Sequence, residues 1–290
     1  MSIRQLHTLD HCRSAAALER RIWGYEGGED VIPPAVMVVS LKRGAVLLGA
    51  CAEDDALEGY AYAVPSVKDG RAGLWSHALG VVPEARGRGL GTALKMAQRQ
   101  RALAAGVDLV EWSCDPLQAA TAHLNFARLG VVVEEYEVDL YGASGSPLHR
   151  GVPTDRFMVE WNITTPHVER RLAAAGREAA APAGQRKASP PIGVRDSAVV
   201  AAVLVNPTRP AGDWLAPGDA ALDVEGSRVL VEIPSNFTEM LRDEPALALE
   251  WRSSTRAIFQ AYFARGYRAV DFFLAREHGR GQYLLARAAS

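Results

Sequence analysis

Apolar and polar positions along the first 164 residues follow two rhythms, one typical of helices and one typical of strands. Helical spacing predicts helices over residues 12–23 and 33–42, the second opened by a pair of prolines. Runs rich in valine, leucine and tyrosine predict strands over residues 45–52, 57–64 and 74–82. The chain is therefore expected to begin with two helices followed by three strands.

Helices and strands alternate after the third strand. A helix is predicted over residues 89–105, where a glycine-rich turn opens it and Gly106 closes it. A buried strand over 107–114, a helix over 117–129 ended by Gly130, and strands over 131–141 and 156–163 complete this part. The expected order from the third strand onward is strand, helix, strand, helix, strand, strand.

The composition changes after residue 164, and we place a linker over residues 165–192. Its first part is rich in alanine, arginine and glutamate, and residues 182–191 are small, polar and rich in proline. Beyond the linker, the sequence predicts strands over 198–205, 228–233, 269–275 and 282–286, and a helix over 245–265. We therefore expect one domain over residues 1–164 and a smaller α/β domain over residues 193–290.

The C-terminal domain partly echoes the N-terminal one. Residues 109–111 (Leu-Val-Glu) in a strand are matched by residues 230–232, and residues 126–128 (Phe-Ala-Arg) near a helix end are matched by residues 263–265. The alignment needs a one-residue slip after the second match. Two interpretations stay open, a degenerate half-repeat and the ordinary similarity of any two strand-helix-strand units.

Composition and charge exclude several classes of protein. With 48% hydrophobic and 23% charged residues, the chain is neither collagen-like, nor disordered, nor a small disulfide-rich scaffold. Lysine and arginine number 32 against 34 aspartates and glutamates, so no basic field attracts nucleic acid or anionic lipid. Three widely spaced cysteines fit a reducing compartment, and no signal or membrane-spanning run is evident. We expect a cytoplasmic protein without a nucleic-acid partner, a membrane partner or a metal site.

The segment over residues 79–94 carries the most chemical information. It reads Leu-Gly-Val-Val-Pro-Glu-Ala-Arg-Gly-Arg-Gly-Leu-Gly-Thr-Ala-Leu, so that a strand, a glycine-rich turn and the start of a helix follow one another. The first amides of a helix lack internal partners and carry the positive end of its dipole, and such a turn can therefore bind phosphate. The glycine spacing fits neither a P-loop nor the dinucleotide-binding fingerprint.

The pattern Arg-x-x-Gly-x-Gly, formed by Arg86, Gly89 and Gly91, resembles the GNAT superfamily of acetyltransferases. The resemblance covers roughly residues 2–163, including the order of the elements, and is nearest to a bacterial subgroup with a C-terminal extension. It implies an α/β fold of the α+β type, in which helices flank a mixed, mostly antiparallel sheet. It also implies that an acetyl group moves from acetyl-CoA directly to an amine.

Carried over to this chain, the resemblance places coenzyme A along the third strand and the turn that follows it. Main-chain groups of Val81 and Val82 would pair with the pantetheine arm like an added strand, and the amide of Leu79 would polarise the thioester carbonyl. Lys95 or Arg88 would meet a remaining phosphate. The residues expected to bind the diphosphate are Arg86, Gly87, Arg88, Gly89, Leu90, Gly91 and Thr92.

The family also splays the strand that bears this motif away from the next one, and the thioester lies in the gap. Gly80 is the residue at which we expect the distortion, because glycine tolerates a bulge and leaves room for the backbone of a ligand.

An amine acceptor needs a base, because an alkylamine with a pKa near 10 is mostly protonated at neutral pH. His77 on the motif strand and Glu111 on the adjacent strand are the candidate catalytic residues. The alternatives are an ordinary hydrogen-bonded histidine in a sheet and a carboxylate in a salt bridge with a neighbouring arginine.

One position departs from the family pattern. A tyrosine on the helix after the second motif strand commonly protonates the leaving thiolate, and this chain has Phe126 there. The proton would then come from Tyr136, Tyr141 or water. The alternative function is a non-catalytic acyl-CoA-binding module or sensor, and a third is an unrelated fold that binds another phosphorylated ligand.

The acceptor is expected to be an amine on a small molecule or peptide, bound by loops over residues 25–30 and 142–155. We expect the C-terminal domain to complete the acceptor cleft or to form an interface, and the sequence leaves a homodimer open.

Overall fold

The computed structural model describes residues 2–25, 27, 30–142, 146, 151–180 and 202–287. They form two compact units. The first contains residues 1–112, 144–149 and 162–164, and the second contains residues 113–143, 150–161 and 165–290.

The first unit is a sheet with helices on both of its faces. Its elements are β1 (Ser2–Gln5), α1 (Leu9–Trp23), α2 (Pro34–Leu41), β2 (Val46–Cys51), β3 (Leu57–Lys68), β4 (Arg71–Val81), α3 (Leu90–Ala104) and the first four residues of β5 (Leu109–Cys114). The strands follow the order β1-β2-β3-β4-β5, antiparallel up to β4 and parallel between β4 and β5. Only β1 was missed by the sequence pattern among these elements.

Helix boundaries in this unit follow local chemistry. Thr8 caps α1 through a hydrogen bond from the amide of His11, and Gly24 ends the helix in the left-handed conformation. The hydroxyls of Ser40 on α2 and Tyr62 on β3 lie 2.6 Å apart, which places α2 on the face of the sheet that carries Tyr62. Helix α3 covers the opposite face, where Leu94 is fully buried.

The second unit is built around two hairpins. Its elements are α4 (Ala119–Ala122), a π-helix (His123–Leu129), β6 (Val132–Glu137), β7 (Arg156–Asn162), α5 (Pro166–Ala180), β8 (Val203–Leu204), β9 (Arg209–Ala211), β10 (Trp214–Ala216), β11 (Arg228–Pro234), α6 (Phe237–Asp243), α7 (Pro245–Ala264), β12 (Arg268–Ala275) and β13 (Arg280–Ala286). Its main sheet has the order β7-β6-β12-β13-β11-β8, and β9 pairs with β10 separately.

The two units do not follow the division that the sequence suggested at residues 164 and 193. Strand β6 pairs with β12, so residues 113–143 share a sheet with the C-terminal strands. The rings of Phe157, Phe259 and Tyr283 pack within 5.4 Å of one another, centroid to centroid. Stretches on both sides of the expected linker therefore belong to one hydrophobic core.

The first half of the expected linker is also part of this unit. Residues 166–180 form α5, in which Val168 is buried and Arg171 makes a salt bridge to Asp271 of β12. The remainder of that linker, residues 181–192, and the start of the strand expected over 198–205 lie outside the described residues.

The hairpins β6–β7 and β12–β13 share several local features, and the half-repeat remains a prediction. Each follows a helix that ends at a left-handed glycine, Gly130 (φ 71°) or Gly266 (φ 78°). The first strand of each hairpin has a bulge at the same distance from its glycine. The register shifts after Val133 in β6 and after Ala269 in β12. These two equivalent residues also pair with each other, as two copies related by a local two-fold axis would.

The one-residue slip between the two aligned segments corresponds to a difference in helix type. The helix over residues 123–129 is a π-helix, and the amide of Gly130 bonds to the carbonyl of Asn125, five residues back. The equivalent helix α7 is an ordinary α-helix. A π-turn accommodates one more residue than an α-turn, which accounts for the extra residue between Phe126 and Gly130.

The expected fold class is confirmed. Each unit combines helices with a mixed sheet in which antiparallel pairs predominate, and the order of elements from β2 to β7 is the order that the resemblance implied.

Candidate functional site

The turn between β4 and α3 is open to solvent and conformationally suited to an anion. Gly87 (φ 78°) and Gly89 (φ 82°) both adopt the left-handed conformation, and residues 86–89 are exposed. Gly89 is the N-cap of α3, and no side chain among the described residues caps the helix there. The first amides of α3, at Leu90, Gly91 and Thr92, consequently have no partner within the helix. The turn thus has the features of an anion-binding helix N-terminus, with the dipole of a four-turn helix behind it.

The two arginines of the turn are partly engaged. Arg86 donates from Nε to the carbonyl of Val81 at 3.2 Å, and Arg88 forms a 2.7 Å salt bridge with Glu58 on β3. Their side chains lie at the surface, where such contacts exchange readily with water and other anions. A cavity of about 360 Å³ borders Arg88 and is lined by Ala52, Glu53 and Asp54 of the turn after β2. The turn is therefore next to open space.

The end of β4 presents one free edge. The amide of Val82 donates to the carbonyl of Glu58 at 2.9 Å and is committed to β3. Because amides alternate in direction along a strand, those of Val81 and Leu79 point to the other edge of β4. Among the described residues that edge pairs with β5 only at Leu74 and Trp75. Val81 and Leu79, rather than Val82, can offer main-chain groups to an added strand.

The separation of β4 from β5 begins immediately after Trp75 and Glu111, the last pair of that ladder. On the other side of β4, the consecutive β3 residues Tyr62 and Ala63 pair with Ala78 and Ser76. His77, which lies between Ser76 and Ala78, has no partner in this ladder and is the bulged residue. The expectation that Gly80 marks the distortion is wrong. A Cβ on Gly80 would lie 2.7 Å from Cη2 of Trp23, so glycine is required there because α1 packs directly on the strand.

The structure places both candidate bases on the same face of the sheet. His77 packs edge-on against Tyr62, with ring centroids 6.3 Å apart, and Tyr62 faces α2. Glu111 pairs with Trp75 of β4. Its neighbour Trp112 contacts Lys95 of α3, and because side chains alternate along a strand, Glu111 points away from α3. His77 is exposed at the bulge, yet partial desolvation lowers its pKa below the usual value.

Glu111 is nearly buried and has a basic neighbour. Its Oε1 lies 3.6 Å from Nζ of Lys68 at the end of β3, and its side chain is 12% exposed. The salt bridge that the sequence left as an alternative therefore exists, but its partner is Lys68 of β3, across β4, and not an arginine.

Glu19 on α1 is a titratable group that the sequence pattern did not single out. It is 4% exposed, and its Oε2 accepts a hydrogen bond from the amide of Ile32 at 3.3 Å. Burial raises its pKa to about 7, in spite of the opposing hydrogen bond from the amide of Ile32. Its helical spacing with Ala15, Ala16 and Ile22 could have marked it as inward-facing.

Lys95 does not lie where a phosphate could meet it, and that expectation is wrong. It is 3% exposed and is on the side of α3 that faces the sheet. Its Nζ donates to Ser76 Oγ at 2.9 Å and to Gln98 Oε1 at 3.1 Å, and it lies 3.5 Å from the centroid of the Trp112 ring. Lys95 thus joins α3 to both β4 and β5 beneath the sheet.

In the second unit, Phe126 and the two tyrosines expected as alternative proton donors all contact other side chains. Phe126 is fully buried and packs edge-on against Tyr283. The hydroxyl of Tyr136 donates to Asp155 Oδ2 at 2.6 Å, and burial together with that carboxylate raises the pKa of Tyr136. The hydroxyls of Tyr141 and Ser113 lie 2.7 Å apart.

The described residues show neither a cluster suited to a metal ion nor a helix suited to a membrane. They contain no group of three or more histidine, cysteine, aspartate or glutamate side chains that could hold a metal ion. None of their helices has both the length and the apolar character that a passage through a membrane requires. The acceptor loops expected over 25–30 and 142–155 are described only in part, because residues 26, 28–29, 143–145 and 147–150 lie outside the described set.

Comparison with known proteins found similarity among solved structures. A GNAT-family acetyltransferase from Streptococcus pneumoniae is 16% identical, covers 55% of this chain and 97% of its own, and gives a TM-score of 0.44. Naa20 from Chaetomium thermophilum, solved with a bisubstrate analogue, is 14% identical, covers 58% and 92%, and also gives 0.44. The ribosomal-protein-S18-alanine N-acetyltransferase from Escherichia coli is 17% identical, covers 57% and 94%, and gives 0.43.

No protein-family model matches the chain, and no curated protein matches it. The resemblance to the GNAT superfamily therefore rests on features of the chain itself: the Arg86-x-x-Gly89-x-Gly91 turn, the bulge at His77 and the parallel ladder that stops at Trp75 and Glu111.

Proposed function

We propose that the chain is an acyltransferase that moves an acetyl group from acetyl-CoA to an amine by direct attack. One observation carries the proposal: the exposed, left-handed turn over residues 87–89 leads into a helix that no described side chain caps, directly beside a strand edge that pairs with no strand of the described residues beyond Trp75. A helix N-terminus binds a diphosphate, and a free strand edge binds an extended amide-containing arm. Coenzyme A combines these two chemical groups in one ligand.

Each group of residues from Leu79 to Thr92 has a proposed role toward one part of this ligand. Amides from Gly87 to Thr92 hold the diphosphate, and Arg86 and Arg88 add positive charge. The backbone of Val81 extends the sheet toward the pantetheine arm. The amide of Leu79 stabilises the negative charge that develops on the thioester oxygen, as a backbone oxyanion hole does. Acetyl-CoA supplies the activated acyl group.

The acceptor amine must arrive from the face that carries His77 and Glu111. Either side chain can remove the surplus proton of an ammonium, directly or through one water molecule. The lowered pKa of His77 keeps its imidazole neutral at pH 7, which is the form that accepts a proton.

The engaged state of Phe126 favours a second candidate, an acyl-CoA-binding module that does not turn over. Phe126 has no proton to donate, and its ring is part of the packed core of the second unit.

Two measurements test the proposal. Isothermal titration of the full chain with coenzyme A, with adenine nucleotides as competitors, tests binding and its selectivity. Incubation with acetyl-CoA and a panel of alkylamines, aminoglycosides and peptides, read by release of free thiol, then separates an enzyme from a binding module. Release of thiol that depends on an added amine supports transfer, and binding without release for any amine supports the module.

A further inference from the structure

An aromatic side chain of α1 lies directly on β4, beside the place proposed for the thioester. A Cβ on Gly80 would meet Cη2 of Trp23 at 2.7 Å and Cζ3 at 3.0 Å, so the indole packs against the backbone of the strand. Gly80 stands between Leu79, whose amide is proposed to hold the thioester carbonyl, and Val81, which is proposed to pair with the pantetheine arm. The indole is therefore about one residue away from the reacting carbon, and one residue spans about 3.3 Å along a strand.

Trp23 lies on the face of the sheet from which the amine is proposed to arrive. Tyr60, which pairs with Gly80, packs edge-on against Trp23 with ring centroids 6.0 Å apart. Tyr62 is two residues further along β3, so it faces the same way, and it packs against His77. The indole and the candidate base His77 are therefore on the same side of β4.

Trp23 and Tyr25 form a flat aromatic surface on a rigid support. Their rings are within 10° of parallel, with centroids 6.5 Å apart. The support is the fully buried side chain of Tyr60 together with the glycine backbone beneath the indole. Both residues of the pair are half-buried, so each still presents surface to solvent. Such a surface suits a planar ring, because rigid side chains lose little freedom on binding and aromatic rings attract one another beyond the area that they bury.

The two loops expected to bind the acceptor meet at this tryptophan. Trp23 ends α1, and the loop over residues 25–30 follows directly after Gly24. From the loop over residues 142–155, the hydroxyl of Ser146 donates to the carbonyl of Trp23 at 2.8 Å, and Ser146 is 2% exposed. Trp23 is thus common to both sides of the expected acceptor site.

We infer that the acceptor is an arylalkylamine, in which one or two carbon atoms join the amine to an aromatic ring, and that this ring packs on Trp23 and Tyr25. The inference rests on the proposed function. The link is short because the indole is about one residue away from the reacting carbon. The uncharged nitrogen bonds to the acetyl carbon, and the carbon–sulfur bond breaks with its electron pair on sulfur. The surplus proton of the nitrogen passes through the base and water to the sulfur.

Release of thiol from acetyl-CoA by the full chain tests this with a matched pair of amines. 2-Phenylethylamine and 2-cyclohexylethylamine have the same link and ring size, but only the first has a planar ring. The value of kcat/KM is measured for both in the wild type, in Trp23→Leu and in the control Trp214→Leu, which removes a half-buried tryptophan of β10. The readout is the ratio of the two values, and the different basicity of the two amines cancels when this ratio is compared between proteins.

We expect this ratio to be about three to ten times higher in the wild type and in Trp214→Leu than in Trp23→Leu, because only the planar ring gains the aromatic contact. In the wild type, 2-phenylethylamine should also exceed 4-phenylbutylamine in kcat/KM, because a longer link carries the ring past Trp23. Equal ratios in the wild type and in Trp23→Leu overturn the inference, and the reverse order of the two phenyl compounds contradicts the short link.

Three further outcomes are also decisive. If Trp23→Leu does not fold, Tyr25→Leu takes its place and should lower the ratio in the same direction, and an unchanged ratio then overturns the inference. If the wild type releases thiol with no amine, the proposed function has failed and the inference with it. Release with other amines but not with 2-phenylethylamine refutes only the aromatic acceptor.

Discussion

Phe126 and Tyr283 pack edge to face with ring centroids 5.4 Å apart, at an interplanar angle of 84°. Phe263, near the end of α7, packs against Phe157 of β7 with ring centroids 5.7 Å apart, at a tilted angle of 39°. Phe126 and Phe263 thus each pack against an aromatic side chain of a hairpin strand. Phe126 therefore belongs to the hydrophobic core of the second unit.

Replacing Phe126 by tyrosine should cost stability. Phe126 is 0% exposed, so the hydroxyl of Phe126→Tyr would enter a packed apolar site at a cost of about 1–3 kcal/mol in the free energy of unfolding. Phe273→Tyr, at a half-buried position of β12, is the control and should be nearly neutral. Urea unfolding of both variants checks this. A Phe126→Tyr protein as stable as the wild type would show that a polar group is accommodated there.

The buried ion pair between Arg252 of α7 and Asp115 should be essential to the second unit. Both guanidinium-to-carboxylate contacts are below 3 Å, and the side chains are 2% and 9% exposed. Burial pushes the pKa of Asp115 up, but the charge and hydrogen bonds of Arg252 outweigh it and leave this pKa below the usual value. Arg252→Met strands a buried carboxylate and should lower the free energy of unfolding by about 3–5 kcal/mol.

The double variant Arg252→Met/Asp115→Asn provides the control for that loss. It removes both charges, so it should recover part of the stability lost in Arg252→Met. A cycle of urea unfolding curves measures the coupling. Additive losses would mean that the two side chains do not stabilise each other.

Glu19 should make the stability of the first unit fall as the pH rises. Its folded-state pKa of about 7 is above the usual glutamate value of 4.5, so the stabilising effect of its protonated form is complete below pH 4.5 and is lost as the pH passes 7. Glu19→Gln stays neutral at every pH. It should therefore reduce the change in the free energy of unfolding between pH 5 and pH 8 by about 1–3 kcal/mol. Thermal unfolding at several pH values, with Glu53→Gln at the surface as control, measures it. An unchanged pH dependence in Glu19→Gln would contradict the raised pKa.

The pH–rate profile should identify the base. If His77 accepts the proton, burial has lowered its pKa, so the rate should rise with pH through a midpoint below the usual 6.5. His77→Gln should then remove this limb and reduce the rate by about 10²–10⁴-fold, with the affinity for coenzyme A unchanged. The same pattern in Glu111→Gln, with His77→Gln fully active, would assign the proton to Glu111 instead.

Local sequence signals predicted most of the first unit because each is physically explicit. The glycines that open and close α3, the apolar runs of β2 to β5 and the proline start of α2 all fix elements through their own backbone preferences. The glycine-rich turn before α3 was predicted for the same reason. β1 was missed because its four residues, Ser2–Gln5, carry no alternating pattern.

Features that depend on contacts between distant segments could not be predicted. The assignment of residues 113–143 to the C-terminal unit depends on pairing between β6 and β12. The role of Gly80 was predicted wrongly because Trp23, which packs against it, is distant in sequence. The position of Lys95 was predicted wrongly because helical spacing does not show its contacts with Ser76 and Trp112 on the strands. A buried charged residue is the exception to the pattern on which such predictions depend.

The most direct test of the central claim is calorimetric titration of the full chain with coenzyme A, in the wild type and in Gly89→Val. Gly89 and Gly106 flank α3, both have a positive φ (82° and 73°), and a Cβ on either meets no atom within 4 Å. Gly106→Val therefore imposes similar strain at the end of the helix away from the turn. We expect the wild type and Gly106→Val to bind coenzyme A and Gly89→Val to bind about tenfold or more weakly, because the turn can no longer present its amides. No binding by the wild type, or equal binding by all three proteins, would contradict the assignment of this turn to the diphosphate.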